Sequence, residues 1–124
     1  MSYELTFEYR DGYLFARVAG PEDTLEISLA YWAEIAAECA VSGVRRLLVL
    51  EQLQGNSRQA DMEENIKVLG EVGFRDIRIA FVDPYESDAM LAMGEARARQ
   101  AGLTGRAFRQ VDDAETWLLS APPP

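Results

Sequence analysis

The first stretch of the chain alternates strictly between apolar and polar residues. In residues 3–9, YELTFEY, every second side chain is aromatic or aliphatic, which is the period of a half-buried strand. The pair Asp11-Gly12 that follows is typical of a two-residue hairpin turn. A second strand, YLFARVA, then returns, and pairing across the turn sets Phe7 opposite Ala16. The pattern therefore predicts an antiparallel hairpin at the start of the chain.

Beyond the hairpin, segments with helical periodicity alternate with short apolar runs. In the first helical segment the apolar residues recur at intervals of four and three, which places them on one stripe: Leu25, Leu29, Trp32, Ala36 and Cys39. Further strands are predicted over 44–50, 77–82 and 106–110, each followed by another helical segment. Such alternation indicates parallel strands that are joined by crossover helices.

Aspartate marks the predicted start of three helices. Asp23, Asp83 and Asp112 each precede a glutamate by three residues, which is the spacing of an N-cap and its returning acid. Pro84, directly after Asp83, suits the first position of a helix. The remaining helix follows a polar loop that we expect over 51–57.

The predicted element order is ββαβαβαβα, which defines an α/β fold. Right-handed crossovers make the later strands parallel and leave the first strand as an antiparallel edge. The near-continuous apolarity of residues 44–50, VRRLLVL, is typical of a central strand that is buried on both faces. We expect one domain over 1–120, with a mixed five-stranded sheet and about four helices, and a proline-rich tail over 121–124.

Composition excludes several classes of chemistry. The chain has 124 residues with no histidine and one cysteine, which excludes Ser-His-Asp and Cys-His sites and an internal disulfide. Cys39 lies on the apolar stripe of its helix, so we expect it in the core. The net charge of −9 disfavours binding to nucleic acid. We expect no catalytic residue, no metal, no cofactor and, in the absence of a signal peptide or membrane span, a cytoplasmic location.

Four stretches give the chain a family resemblance. GYLFARVAGPEDTLEISLAYWAEI, VRRLLVLEQLQG, FRDIRIAFVDPYESDAM and FRQVDDAETWLLS, within about residues 12–120, resemble the SpoIIAA-like (STAS/SEC14-type) family of the STAS superfamily. The resemblance implies a non-catalytic domain that binds an apolar small molecule, a lipid or a protein partner. It also implies an alternative, a regulatory anti-sigma-factor antagonist that is switched by phosphorylation. Only Ser57 matches the Asp-Ser-Ser-Gly-like stretch of such antagonists.

Ser57 has three interpretations, as a helix cap, a phosphoacceptor or a ligand contact, and its neighbour Asn56 has two, as a helix cap or a ligand or partner contact. Acidic residues are expected along the same edge of the sheet, where they oppose bound phosphate. These acids are Glu22, Asp23, Glu51, Asp61, Asp83, Glu86, Asp112 and Asp113. A further alternative is a small enzyme that uses acidic residues. It requires a pocket in which two carboxyl groups with raised pKa converge.

Two groups of apolar residues are further candidates for binding. Tyr85, Met90 and Met93 are expected either to line an apolar pocket or partner surface, or to pack in the core. Tyr13 and Phe15 form either an exposed ligand or dimer surface, or a face that a helix covers. The partners we expect are an apolar small molecule or lipid, or a protein, including a second copy of the chain. We expect no nucleic acid and at most peripheral contact with a membrane.

Overall fold

A computed structural model describes residues 3–55 and 59–124 of the chain. The predictions for Asn56 and Ser57 therefore concern residues outside the described part. The elements, in chain order, are β1 (Glu4–Arg10), β2 (Tyr13–Gly20), α1 (Leu25–Ser42), β3 (Arg46–Leu53), α2 (Gln59–Glu71), β4 (Arg78–Val82), α3 (Asp88–Gln100), β5 (Thr104–Phe108) and α4 (Val111–Leu119).

The five strands form one mixed sheet in the order β1-β2-β3-β4-β5. β1 and β2 pair in antiparallel fashion, and Phe7 lies opposite Ala16, so the predicted hairpin and its register are confirmed. All later pairs are parallel. The prediction of an α/β fold with a five-stranded mixed sheet and four helices is confirmed.

The helices are divided unequally between the faces of the sheet. α1, α2 and α3 contribute to one apolar core on the first face, which includes Tyr31, Trp32, Leu69 and the half-buried Ala98. This follows from the strand order, because right-handed crossovers between successive neighbouring strands place every connecting helix on the same side. Cys39 lies in this core, and burial raises its pKa to about 11, as expected for a packed thiol.

The second face of the sheet is covered by α4. Ala114 and Leu118 of this helix pack against aromatic and aliphatic side chains of β2, β3 and β4. Arg78 is buried here, with its guanidinium carbon 3.7 Å from the centre of the Trp117 ring. One of its nitrogens donates a hydrogen bond to the carbonyl oxygen of Trp117 at 2.9 Å. The aliphatic stem and the planar head of Arg78 thus belong to the contact between sheet and helix.

Two helices begin near, but not at, the predicted aspartates. α1 is capped by Thr24, whose hydroxyl accepts a hydrogen bond from the Ile27 N–H at 3.2 Å, and not by Asp23. α4 follows Gln110, which makes no side-chain cap hydrogen bond, so Asp112 lies in the first turn of the helix. An acid in the first turn still stabilises the positive end of the helix dipole.

The predicted helix start at Asp83 is wrong. α3 is capped by Ser87, whose hydroxyl accepts from the Met90 N–H at 3.2 Å. The carboxylate of Asp83 instead accepts from the Tyr85 N–H at 3.0 Å, which forms a separate turn before the helix. Local spacing did not distinguish these two uses of an aspartate.

β3 and β5 are the strands whose bounds differ most from the predicted ones. β3 continues to Leu53, so Glu51 belongs to the strand and not to the loop predicted over 51–57. β5 spans Thr104–Phe108, two residues before the predicted position.

Within residues 3–55 and 59–124, none of the helices combines the length and apolarity that a membrane span requires.

Packing of α1 against the sheet can be tested with two truncations in the same helix. Ile35 is fully buried, so Ile35→Ala is expected to lower the free energy of unfolding by about 2–5 kcal/mol. Val41 is 87% exposed, and Val41→Ala is expected to change it by less than about 0.5 kcal/mol. Urea unfolding measures both values. Similar losses in the two variants would contradict the assigned orientation of α1.

Candidate functional site

A cavity of about 150 Å³ lies between the first face of the sheet and helices α1, α2 and α3. Its walls are mainly apolar and come from all three helices and from β4 and β5. They include Trp32, Leu69, Phe81, Met90, Leu91 and Leu103. Adjacent to these walls, buried polar groups gather near the carboxyl ends of β3 and β4, so the cavity has one polar region.

Glu51 and Asp83 meet in this polar region because of the strand register. Leu50 pairs with Val82, so Glu51 and Asp83 are the next residues on neighbouring parallel strands. The side chain of Glu51 points to the same face as that of Val49, the first face, which α1, α2 and α3 cover, since alternate residues of a strand point to the same side. Glu51 is 5% exposed and Asp83 is 7% exposed, and the two carboxyl groups are close enough that each affects the pKa of the other.

Tyr31 of α1 supplies a hydrogen bond to Glu51. Its phenol donates to Oε2 of Glu51, and the ring is almost fully buried. The neighbouring Trp32 fixes this part of the helix, because its ring packs edge-on against Phe74 at 5.5 Å and stacks with Phe81 at 6.3 Å between centres. The phenol is therefore held in position by the aromatic core.

Burial determines the protonation of the carboxyl pair. It raises the pKa of Glu51 well above the usual value, and the negative charges of Asp23 and Asp83 raise it further. The hydrogen bond from Tyr31 opposes this effect. Burial also raises the pKa of Asp83, while the Tyr85 N–H acts in the opposite direction. The pair therefore retains a proton at pH values at which exposed carboxyl groups have lost theirs.

Two further polar features complete the lining. Asn65 of α2 lines the cavity, and its Oδ1 is buried without a hydrogen-bond partner. Arg106 is the cationic residue of the lining within the described part of the chain, and its Nε lies 3.6 Å from Oε1 of Glu95. The same Glu95 oxygen accepts from the Ala107 N–H at 2.8 Å. The charge of Arg106 is thus already partnered, whereas the acceptor of Asn65 is not.

The structure separates the candidate residues before and within α3. Met90 lines the cavity, in agreement with one of the two interpretations stated for it. Met93 is half-buried and is not among the described lining residues. Tyr85 is 59% exposed, and its backbone N–H contacts the site through Asp83.

Tyr13 and Phe15 lie on the opposite face, under α4. They are 5% and 8% exposed, and the phenol of Tyr13 donates a hydrogen bond to Glu115 of that helix. The interpretation of these residues as an open ligand or dimer surface is therefore corrected, because a helix covers the face. The alternative interpretation, that a helix covers Tyr13 and Phe15, agrees with their position under α4.

The sequence analysis did not predict that Glu51, Tyr31 and Asn65 belong to one site. Tyr31 and Asn65 were not candidates, and Glu51 was placed in a loop. The signal for Glu51 was the alternation of Val49, Glu51 and Leu53, which continues the inward face of β3 beyond the apolar run. Tyr31 and Asn65 carry no such local signal.

Comparison with models of protein families and with curated proteins found no match to this chain. Among the described residues, no group of three or more His, Cys, Asp or Glu side chains is arranged to hold a metal ion. The arrangement supports two kinds of chemistry. It can hold a small apolar molecule with a polar end, and its carboxyl pair can accept or release a proton.

The raised pKa of Glu51 predicts that stability decreases with rising pH. Folding raises this pKa, so the stabilisation is complete below the pKa in the unfolded chain and is lost as pH rises through the folded value. Glu51→Gln removes the part of this dependence that Glu51 contributes, while Asp83 keeps its own. We expect the stability of the variant to gain on that of the native protein as pH rises above the range in which exposed carboxyl groups lose their protons. Urea unfolding from acid to mildly alkaline pH measures the difference.

Glu38→Gln is the matched control for Glu51→Gln. Glu38 also accepts a hydrogen bond from a tyrosine, Tyr9, but this pair lies at the exposed side of α1. The stability of the Glu38→Gln variant is expected to have the same pH dependence as that of the native protein. A constant difference between Glu51→Gln and the native protein over the whole range would contradict the assigned burial of Glu51.

Proposed function

We propose that this chain is a non-catalytic binding domain that holds a small apolar molecule in the cavity between the sheet and α1, α2 and α3. The observation that carries the proposal is the cavity itself, with a volume of about 150 Å³ and mainly apolar walls. Apolar cavities of about this volume bind benzene or xenon, because a ligand restores the contacts that the wall atoms lack.

The walls of the cavity suit ligands of varied shape. Met62 and Met90 both line it, and methionine side chains are flexible and polarizable. Met62 contacts α3 where that helix has Gly94, and an added Cβ there would lie 3.4 Å from the Met62 sulfur. The contact between α2 and α3 thus depends on an adaptable side chain opposite a residue without one.

Membership of the SpoIIAA-like family and a cytoplasmic location belong to the same proposal. The sheet order and the single antiparallel edge strand agree with the fold that the resemblance implies. Binding of an apolar ligand is also what the resemblance implies for such domains. A protein partner, including a second copy of the chain, remains the alternative class of ligand.

Uptake of toluene tests the proposed function. The purified chain is expected to bind one molecule, seen by native mass spectrometry, by shifts of methyl resonances and by a rise in Tm with ligand concentration. Ala98→Leu fills part of the cavity and is expected to weaken binding by about tenfold, or ~1.4 kcal/mol. The matched control is Ala92→Leu, on the exposed side of the same helix, which should bind as the native protein does.

Absence of toluene uptake by the native chain would contradict this proposal, because the cavity would then not serve as a binding site for apolar molecules. Equal binding by Ala98→Leu and Ala92→Leu would locate the ligand elsewhere on the protein.

A second candidate function, a small enzyme that transfers protons, is favoured by one observation. Glu51 and Asp83 converge beside the cavity with raised pKa values, which is the arrangement that an acid–base enzyme requires. A carboxylate of this pair is placed to remove a proton from carbon next to a carbonyl group and to return it.

Deuterium exchange tests the enzymatic candidate. The enzymatic candidate predicts that the chain in D₂O catalyses exchange of the acidic C–H protons of phenylacetone, followed by NMR, above the rate in buffer. Loss of a general base reduces such rates by about 10²–10⁴-fold, so Glu51→Gln should lower the exchange to nearly the buffer rate. Glu38→Gln should retain it. Exchange no faster than in buffer, with the native chain at concentrations that bind toluene, would exclude this candidate.

A further inference from the structure

We infer that the cavity takes a small apolar molecule that ends in a protonated amine, whose ammonium group binds between Glu51, Asp83 and Asn65. This inference rests on the proposed function, since it presumes that an apolar molecule occupies the cavity. It adds the chemistry of the polar end, which distinguishes an amine from a fatty acid, a phospholipid headgroup or a neutral hydrocarbon.

The polar atoms that line the cavity are mainly acceptors. Glu51 lies in β3 and Asp83 directly follows β4, and the two carboxyl groups reach the cavity from its sheet side. Asn65 reaches it from α2, and its Oδ1 is buried without a hydrogen-bond partner. An unpaired buried acceptor is costly, and a ligand that donates a hydrogen bond removes that cost. An ammonium group has three N–H donors and no acceptor, so it matches this set of atoms.

The charge of the region favours a cation over an anion. The pair of Glu51 and Asp83 retains one proton, and it is negatively charged when the second of the two carboxyl groups is ionised. The carboxylates of Asp23 and Glu86 add to the negative potential at this pair. Arg106 is paired with Glu95 and does not offset this charge at Glu51. A carboxylate or phosphate would therefore be placed next to like charge in a desolvated region. A monocation instead supplies the missing counter-charge.

The volume limits the size of the molecule. A cavity of about 150 Å³ accommodates a body similar to a benzene ring with a short extension. Trp32 and Phe81 are among the wall residues, and aromatic faces attract a neighbouring cation as well as apolar carbon. Benzylamine is thus a suitable probe, and benzyl alcohol and benzoate match it in shape while replacing the cation with a neutral group and an anion.

Titration calorimetry with these three probes near neutral pH tests the inference. We expect benzylamine to bind at least about tenfold more tightly than benzyl alcohol, and benzoate to bind more weakly than both. In the double variant Glu51→Gln with Asp83→Asn, benzylamine should lose this advantage while benzyl alcohol keeps its affinity. The control Glu38→Gln, which also removes one carboxylate, should retain the preference of the native protein.

The outcomes separate this inference from the proposed function. Equal affinities of benzylamine and benzyl alcohol in the native protein would overturn the inference and leave the apolar cavity as a binding site. Failure of all three probes and of toluene would overturn both. A preference for benzylamine that survives in the double variant would also overturn the inference, since it would arise from the overall charge of −9 and not from the carboxyl pair. The comparison of probes in the native protein remains decisive if the double variant does not fold.

Discussion

Each crossover in the sheet joins two strands that are direct neighbours, from β2 to β3, from β3 to β4 and from β4 to β5. Because such crossovers are right-handed, α1, α2 and α3 must share one face, and the carboxyl ends of all four parallel strands lie at one edge. The cavity lies where the three helices fail to fill the space above the sheet. Its polar region lies at that edge because the register of β3 and β4 brings Glu51 beside Asp83.

The carboxyl pair is not a feature that the core needs. Two buried acids oppose folding through desolvation, and apolar side chains of similar size would pack in their place. The structure nevertheless surrounds them with specific partners: the Tyr31 phenol donates to one acid, and the Tyr85 N–H donates to the other. A group that costs stability and is held by defined hydrogen bonds beside a cavity is typical of a functional site.

The hairpin and the alternation of strands and helices were predictable because both rest on local patterns. The turn at Asp11-Gly12 determines which residues of β1 and β2 face each other. The end of β3 was missed because the polar residues after Leu50 have the composition of a loop, although the alternation of Val49, Glu51 and Leu53 continues the pattern of the strand. Asp83 has the sequence spacing of a helix cap. Only the tertiary structure shows that its carboxyl group interacts with Glu51 and accepts a hydrogen bond from the Tyr85 N–H in a separate turn. Contacts between distant segments depend on strand register and helix rotation, which no short window of sequence contains.

The two faces of the sheet receive their cover at different stages of synthesis. Once α3 has been made, the first face has all three of its helices, but the side of the sheet that carries Tyr13 and Phe15 still lacks its cover. That cover is α4, which follows the last strand and also positions Trp117 against Arg78. A growing chain that folds from its N-terminus therefore displays an aromatic sheet face until α4 leaves the ribosome, and this is the interval in which chaperones or other nascent chains can bind it.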